Sequence, residues 1–358
     1  AMSVFDHPEF DEHEEIVYGF DAESGLRAII AVHSTALGPS LGGCRVYDYA
    51  NDADALTDVL RLSRGMTYKA ALAGLQQGGG KSVVIADPRR NKTPQMMQAM
   101  GRLVHSLGGR YRVAEDSGTD EADMREMLRE TSHIGGHGAA PDANDPGDRD
   151  TSAATALGVF VGIQAAVRFK LGRDELQGLR VAIQGVGKVG QVLARHLHEA
   201  GAKLWVCDSY APAVETCVQQ FAAQAVSMND ILHQDVDVLA PCALGAVLND
   251  QSIPLLRAGI VAGAANNQLA EPRHGQALLD RGVLYAPDYA INAGGIINVM
   301  GEIAGDFDPA WVQGKLAGLE QTLGEILDQS DKEGRPSNLI ADEIARNRIE
   351  ELRRAKTN

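Results

Sequence analysis

Gly185-Val186-Gly187-Lys188-Val189-Gly190 restricts the possible folds of this chain more than any other stretch. It directly follows the apolar run LRVAIQ (179–184), which has the composition of a strand. It opens QVLARHLHEA (191–200), which reads as a helix. AKLWVCD (202–208) then supplies a second strand that ends on Asp208. Strand, glycine turn, helix and acid-terminated strand in this order form a dinucleotide-binding βαβ unit of Rossmann type. Gly185 allows the tight turn, Gly187 lets the backbone approach a pyrophosphate, and Gly190 lets helix and strand pack closely. The phosphates then sit at a helix N-terminus, where unpaired amides and the helix dipole favour negative charge. Asp208 stands where a carboxylate accepts from ribose hydroxyls and repels a 2′-phosphate, so the expected cofactor is NAD. Lys188 and Lys203 are the basic residues that could soften this preference, although Lys188 also reads as a solvated helix residue.

A βαβ unit of this kind implies a parallel sheet around it, and the alternation continues. Residues 236–239 and 260–262 are further strand candidates. The first half of the chain alternates as well. Strands are expected at 26–32, 82–85 and 111–114, and a helix at 53–69 with Leu56, Val59, Leu60 and Ser63 at helical spacing. Thr93-Pro94 starts another helix as N-cap and first helical residue. That helix carries Met97, Met100, Val104 and Leu107 on one face and ends at Gly108-Gly109. At 358 residues the chain is long enough for two domains. The polar, Gly/Pro/Asp-rich segment 135–153 reads as a surface loop and the junction between them. The next helix, 154–169, is apolar nearly all round, as expected of an element buried between layers. Leu316, Leu319, Leu323 and Ile326 form a helical stripe that stops at Gly334-Arg335-Pro336, and residues 339–353 form a final charged helix. The expectation is an α/β protein with an N-terminal α/β substrate-binding and catalytic domain over 1–150. A Rossmann NAD-binding domain over 151–329 follows, and helices over 330–358 return to the first domain.

Thirty-three Lys and Arg against 48 Asp and Glu give a net charge of −15, which disfavours nucleic acid or an anionic membrane as partner. No stretch reads as a membrane span. The N-terminal segment carries Asp6, Glu9, Asp11 and Glu12 where a secretory leader would be basic. Cys44, Cys207, Cys217 and Cys242 show neither CxxC nor metal-ligand spacing, so buried thiols in a reducing, cytoplasmic setting are expected, with no metal.

Hydride transfer needs a substrate beside the nicotinamide and a group that moves a proton. Lys69, late in an apolar helix (GMTYKAALAG), and Lys81, entering the apolar run KSVVIA, are lysines in unusual settings. Taken singly, each reads better as a surface or strand-capping residue; their joint occurrence with a Rossmann unit shifts the balance. If both reach one cleft, desolvation and mutual repulsion leave one amine neutral at about pH 7–9 and able to act as a base. Asp116, in YRVAEDSGT, stands at the C-terminal end of a strand, where α/β folds place functional side chains.

These residues lie in stretches that resemble the glutamate/leucine/phenylalanine/valine group of amino-acid dehydrogenases, most closely its leucine dehydrogenase branch. The resemblance is carried by LGPSLGGCR (37–45), RLSRGMTYKAALAGLQQGGGKSVVI (61–85), GRYRVAEDSGT (109–119), TALGVFVGI (155–163), the glycine fingerprint, PCALGAVL (241–248), AGAANNQL (262–269) and YAPDYAINAGGIINV (285–299). It implies an active site in the cleft between the two domains, a homo-oligomer, and an amino acid or its 2-oxo acid with ammonium as substrates. By resemblance Lys69 binds the substrate α-carboxylate beside the backbone of Gly42-Gly43. Lys81 activates the water that attacks the imine, and Asp116 assists proton exchange. Asn266 and Asn292 contact polar groups near the nicotinamide, while Thr155, Val189, Cys242, Ala243 and Ala265 border the cofactor.

The resemblance assigns the substrate side-chain pocket to Leu41, Met66, Ala114, Ile296 and Val299, all apolar. Leu41 stands where the glutamate-specific branch has a lysine. The expected reaction is NAD-dependent oxidative deamination of leucine, valine and isoleucine. A phenylalanine- or tryptophan-type activity and a non-catalytic NAD sensor are the alternatives. One departure lies at RDTSA (149–153), where family members often carry a GNPSP-like stretch bordering the substrate. His196 and His198 on the Rossmann helix read as a solvated face, and Cys242 as packing beside the cofactor.

Overall fold

The computed structural model describes residues 3–135, 151–243, 245–303 and 309–357. The first half builds a five-stranded mixed sheet. In chain order it contains β1 (Glu15–Asp21), β2 (Leu26–Ser34), β3 (Ser40–Tyr47), α1 (Asp52–Leu72), β4 (Gly78–Ile85), α2 (Pro94–Ser106), β5 (Tyr111–Glu115) and α3 (Glu121–Leu128). The sheet order is β1-β2-β4-β3-β5; β1, β2 and β4 pair antiparallel, and β4, β3 and β5 pair parallel. Side chains of β2 alternate between two cores. Ile29 and Ala31 join Val59 and Leu60 of α1, and Ile30 and Val32 join Met97 and Met100 of α2. Thr93 caps α2 as expected, its side chain accepting from the Met96 amide. In this half two strands go beyond the sequence reading: β1, and β3 with its Gly42-Gly43 pair. A third, β4, starts inside the glycine run rather than after it.

The second half contains α4 (Ser152–Leu171), β6 (Arg180–Gln184), α5 (Lys188–Glu199), β7 (Lys203–Cys207), α6 (Ala211–Phe221), β8 (Gln224–Ala225), β9 (Val238–Pro241), β10 (Ile260–Val261), α7 (His274–Asp280), β11 (Leu284–Tyr285), α8 (Asp288–Ile291), α9 (Gly294–Ile303), α10 (Pro309–Glu333) and α11 (Ser337–Thr357). Its six strands are all parallel in the order β11-β10-β9-β6-β7-β8. That is the doubly wound Rossmann order, with its switch point between β6 and β9. Most of the loop expected at 135–153 lies outside the described residues. By length and composition α4 could cross a membrane, contrary to the sequence expectation that no stretch comes near this. Here it packs against α5, α9 and α10 as a core helix.

The two halves share one apolar core, in which Ala70 and Leu72 of α1 cluster with Ile163 of α4, Leu316 and Leu323 of α10 and Ile340 of α11. Polar contacts brace the same junction. The Arg346 Nε of α11 donates to the Tyr68 hydroxyl at 2.7 Å, and Arg348 donates to the Leu72 carbonyl at 3.0 Å. α10 also reaches α1, through Lys315 to the Gly74 carbonyl at 2.6 Å and Thr322 to the Leu72 carbonyl at 3.3 Å.

Candidate active site

A cleft of about 560 Å³ opens where the two sheets face each other. The first half contributes Leu41, Gly42, Gly43 and Arg45 from β3, Met66 and Lys69 from α1, Lys81 from β4, and Ala114, Glu115 and Asp116 at the end of β5. The second half contributes Thr151, Thr155, Val189, Cys242, Ala243, Ala265, Asn266, Asp288, Asn292, Ile296 and Val299. Every residue that the sequence assigned to substrate binding or catalysis lines this one space.

Lys81 is buried, and its Nζ lies 3.1 Å from the Asp116 Oδ2. The same oxygen accepts from the Arg45 Nε at 3.0 Å. Burial pushes the Asp116 carboxyl up, but the Lys81 and Arg45 cations outweigh it and hold the group below its ordinary value. Gly43 brings backbone against this pair: a methyl group there would lie 3.2 Å from the Lys81 Nζ. Lys69, on α1 of the same half, lies half-buried and donates across the cleft to the Asn266 Oδ1 at 3.3 Å. Desolvation pushes its amine down to about 8, against the opposing pull of buried Asp288.

Asn292 is buried; its Nδ2 donates to the Asn266 Oδ1 at 2.8 Å and to the Ala264 carbonyl at 3.1 Å. Two acceptors on one nitrogen fix the orientation of the amide, and its Oδ1 is left buried without a hydrogen-bond partner. Such an acceptor on a cleft wall suits an N–H donor of a bound molecule.

The glycine fingerprint forms the β6–α5 turn beside this wall. Gly185 adopts φ +94°, and Gly190 packs so closely that an added Cβ would lie 2.1 Å from the Gly185 carbonyl oxygen. Gly187, the N-cap of α5, uses no side chain to satisfy the helix amides and faces open space. That is the shape of a pyrophosphate cradle. The turn abuts Cys242 and Ala243, and Val189 on the first turn of α5 reaches the cleft itself. Asp208 closes β7, accepting from the Val186 amide at 2.8 Å and the Tyr210 amide at 2.9 Å. Lys188 is exposed.

Among the cleft residues that escaped the sequence reading are Arg45 and Asp288, although both lie within the stretches LGPSLGGCR and YAPDYAINAGGIINV. His196 differs from the expected solvated face: it is half-buried against the Phe160 ring at 5.5 Å, whereas His198 is exposed. The four cysteines are free thiols, three buried and Cys242 half-buried at the cleft. Among the described residues no cluster of metal-ligating side chains occurs. Of the departure at 149–153, Arg149 and Asp150 lie outside the described residues, and Thr151 lines the cleft.

A profile of the Glu/Leu/Phe/Val dehydrogenase dimerisation domain matches residues 15–133, and one of the Glutamate/Leucine/Phenylalanine/Valine dehydrogenases matches 147–216 and 209–332. The chain belongs to the glutamate/leucine/phenylalanine/valine dehydrogenase family. It is 46% identical to a leucine dehydrogenase of Bacillus subtilis, covering 99% of this chain and 96% of the relative. A valine dehydrogenase of Streptomyces albus is 45% identical over 97% of this chain and 95% of its own length. Among solved structures, L-tryptophan dehydrogenase from Nostoc punctiforme superposes with a TM-score of 0.84 at 41% identity, over 95% of this chain and 97% of the other. The protein is thus an amino-acid dehydrogenase of this family, built from the family's two α/β units.

Proposed function

We propose that this dehydrogenase interconverts aliphatic branched-chain L-amino acids (leucine, valine and isoleucine) with their 2-oxo acids and ammonium, using NAD. The convergence of Lys69, Lys81 and Asp116 on a cleft that the apolar side chains of Leu41, Met66, Ala114, Ile296 and Val299 also line carries this reading. The leucine and valine dehydrogenases among its relatives support the same substrate class.

The cofactor's place is the Gly185–Gly190 turn and the wall of Thr155, Val189, Cys242, Ala243, Ala265, Asn266 and Asn292, which fits a dinucleotide by its open cradle and its orphaned Asn292 acceptor. Bound there, NAD supplies the hydride acceptor. The Asp208 carboxylate beside the turn disfavours a 2′-phosphate, which supports NAD over NADP. Lys69 pairs with the substrate α-carboxylate, helped by the Gly42-Gly43 backbone. The Lys81 amine, having passed its own proton to the Asp116 carboxylate 3.1 Å away, takes a proton from the water that adds to the imine carbon, and Asp116 gives the proton it received to the nitrogen that leaves as ammonium. Leu41, Met66, Ala114, Ile296 and Val299 receive the aliphatic side chain.

The thiols, all free, support a reducing cytoplasm, and the match of 15–133 to a dimerisation domain supports a homo-oligomer that light scattering would size. The deciding experiment follows NADH consumption with ammonium and a panel of 2-oxo acids. Highest kcat/KM on 4-methyl-2-oxopentanoate or its valine and isoleucine counterparts supports the reading. A preference for the 2-oxo acid of tryptophan would instead favour the activity named for the Nostoc relative.

A further inference from the structure

We infer that Arg45 is a positioning residue for proton exchange, fixing the Asp116 carboxylate against Lys81 while Asp58 and Tyr49 fix Arg45 in turn. This rests on the proposed dehydrogenase reading and adds a residue to its machinery. Arg45 ends the LGGCR stretch on β3, and β3 pairs in parallel with β5, with Cys44 opposite Glu115. That register sets Arg45 beside Asp116. Its guanidinium forks between two carboxylates, the Nε to the Asp116 Oδ2 at 3.0 Å and one terminal nitrogen to the Asp58 Oδ2 at 2.9 Å. The Tyr49 hydroxyl donates to the same Asp58 oxygen at 2.5 Å. A planar fork held at both ends has little freedom left, which is the geometry that arginine provides and lysine does not.

The consequence falls on Asp116. Both cations meet its Oδ2, and among the described residues its Oδ1 makes no hydrogen bond, so that oxygen remains for water or substrate. The main chain at this point is fixed separately: the Asp116 amide donates to the Thr119 Oγ1 at 2.9 Å, and that hydroxyl donates to the Cys44 carbonyl at 2.9 Å. Losing Arg45 therefore releases the side chain without removing the turn that carries it. The charged and titratable groups around the carboxylate are Lys81 from β4, Arg45 and Cys44 from β3, Lys69 and Asp58 from α1, Tyr111 from β5, and Tyr49. Removing one of its two contacting cations makes the carboxyl take up a proton at higher pH.

The test compares pH profiles of kcat and kcat/KM for reductive amination in the full-length protein and in Arg45→Gln and Arg45→Lys. The expectation for Arg45→Gln is a kcat lower by about 10- to 100-fold, the worth of a charge-assisted hydrogen bond. Its KM for the 2-oxo acid should stay within about threefold, and its acid limb should move to higher pH. Arg45→Lys keeps the charge, so its limb should return toward the unmodified position while kcat stays several-fold low. A folded Arg45→Gln protein with an unmoved limb and undiminished kcat overturns the inference while leaving the dehydrogenase reading intact. If Arg45→Gln does not fold, Arg45→Lys decides: full kcat there overturns the positioning role, because an ammonium lacks the rigid planar fork that holds Asp116 and Asp58 in one geometry. An unmodified protein inactive on the whole 2-oxo acid panel sinks the functional reading and this inference with it.

Discussion

At the residue scale the two lysines carry different chemistry because their surroundings differ. Lys81 is buried against an acid, whereas Lys69 faces an amide and is desolvated to about 8. Lys81→Ala should lower kcat by about 10²–10⁴, the usual worth of a positioned acid–base group, with NADH binding retained in a fluorescence titration. Near-native turnover in that variant would show that Lys81 moves no proton. Lys69→Ala should act mainly on KM, by removing the α-carboxylate's partner. The depressed amine gives this contact a pH dependence of defined sign. Below about 8 the Lys69 amine is charged and holds the carboxylate; as pH rises through that value it loses the charge, and KM for the 2-oxo acid should climb. Lys69→Arg stays charged throughout, so its KM should be flat over the same range, though higher from the altered geometry. Lys69, Lys81 and Asp116 were legible in the sequence because a lysine in an apolar run and an acid at a strand's end are locally anomalous. Arg45 was not, since its importance comes from Asp116, which lies far from it in sequence and meets it only through the β3–β5 register, and from the way Asp58 of α1 folds back onto β3.

Elements show the same division between local and non-local causes. α2 and the β6–α5–β7 unit were readable because period and turn residues agree within one stretch, and α4 because its long apolar run suits a buried helix. β3 and the start of β4 were not, because Gly42-Gly43 and Gly78-Gly79-Gly80 carry the composition of turns. On β4 the glycines let α1 lie directly on the strand: a Cβ at Gly79 would sit 2.1 Å from the Thr67 amide nitrogen. Only glycine permits that approach, and it is what carries Lys69 on α1 and Lys81 on β4 into one cleft. One glycine of the cofactor turn has a different cause. Gly187 has φ −68° and nothing within 4 Å of an added Cβ, so the protein alone does not require it. Opposite outcomes follow. Gly79→Ala should destabilise the fold severely, seen as a large loss in Tm or as insoluble protein, because the clash is with backbone. Gly187→Ala should melt at nearly the native temperature yet bind NADH at least about tenfold more weakly, because its methyl fills the space a pyrophosphate needs. Native affinity in Gly187→Ala would mean that the dinucleotide does not approach this turn.

At the scale of the whole molecule, specificity belongs to neither half alone. Leu41, Met66 and Ala114 come from the five-stranded sheet and its helix, while Ile296 and Val299 come from α9 beyond the six-stranded sheet. The shared core and the α11–α1 contacts hold these two sets in one frame. None of the five offers a hydrogen bond to a substrate side chain. The neighbouring cations are engaged as well: Arg45 by Asp116 and Asp58, and Arg61 facing Glu9 at 3.8 Å. A distal carboxylate placed among the five would be buried without a partner, at a cost of several kcal/mol after relaxation. The expected result is a kcat/KM for 2-oxoglutarate at least about three orders of magnitude below that for 4-methyl-2-oxopentanoate. The 2-oxo acids of leucine, valine and isoleucine differ only by a methylene or a branch point, worth about 1–3 kcal/mol in an apolar pocket, so all three should be used. Phenylpyruvate should be slower, since Ile296 and Val299 are β-branched and yield little. Ala114→Gly enlarges the pocket from the β5 side and should raise the ratio of phenylpyruvate to 4-methyl-2-oxopentanoate turnover. If 2-oxoglutarate proves the better substrate, a cation does reach the pocket and its apolar lining is not what selects. If phenylpyruvate wins in the unmodified protein, the exclusion of acids stands and only the ranking among apolar substrates falls.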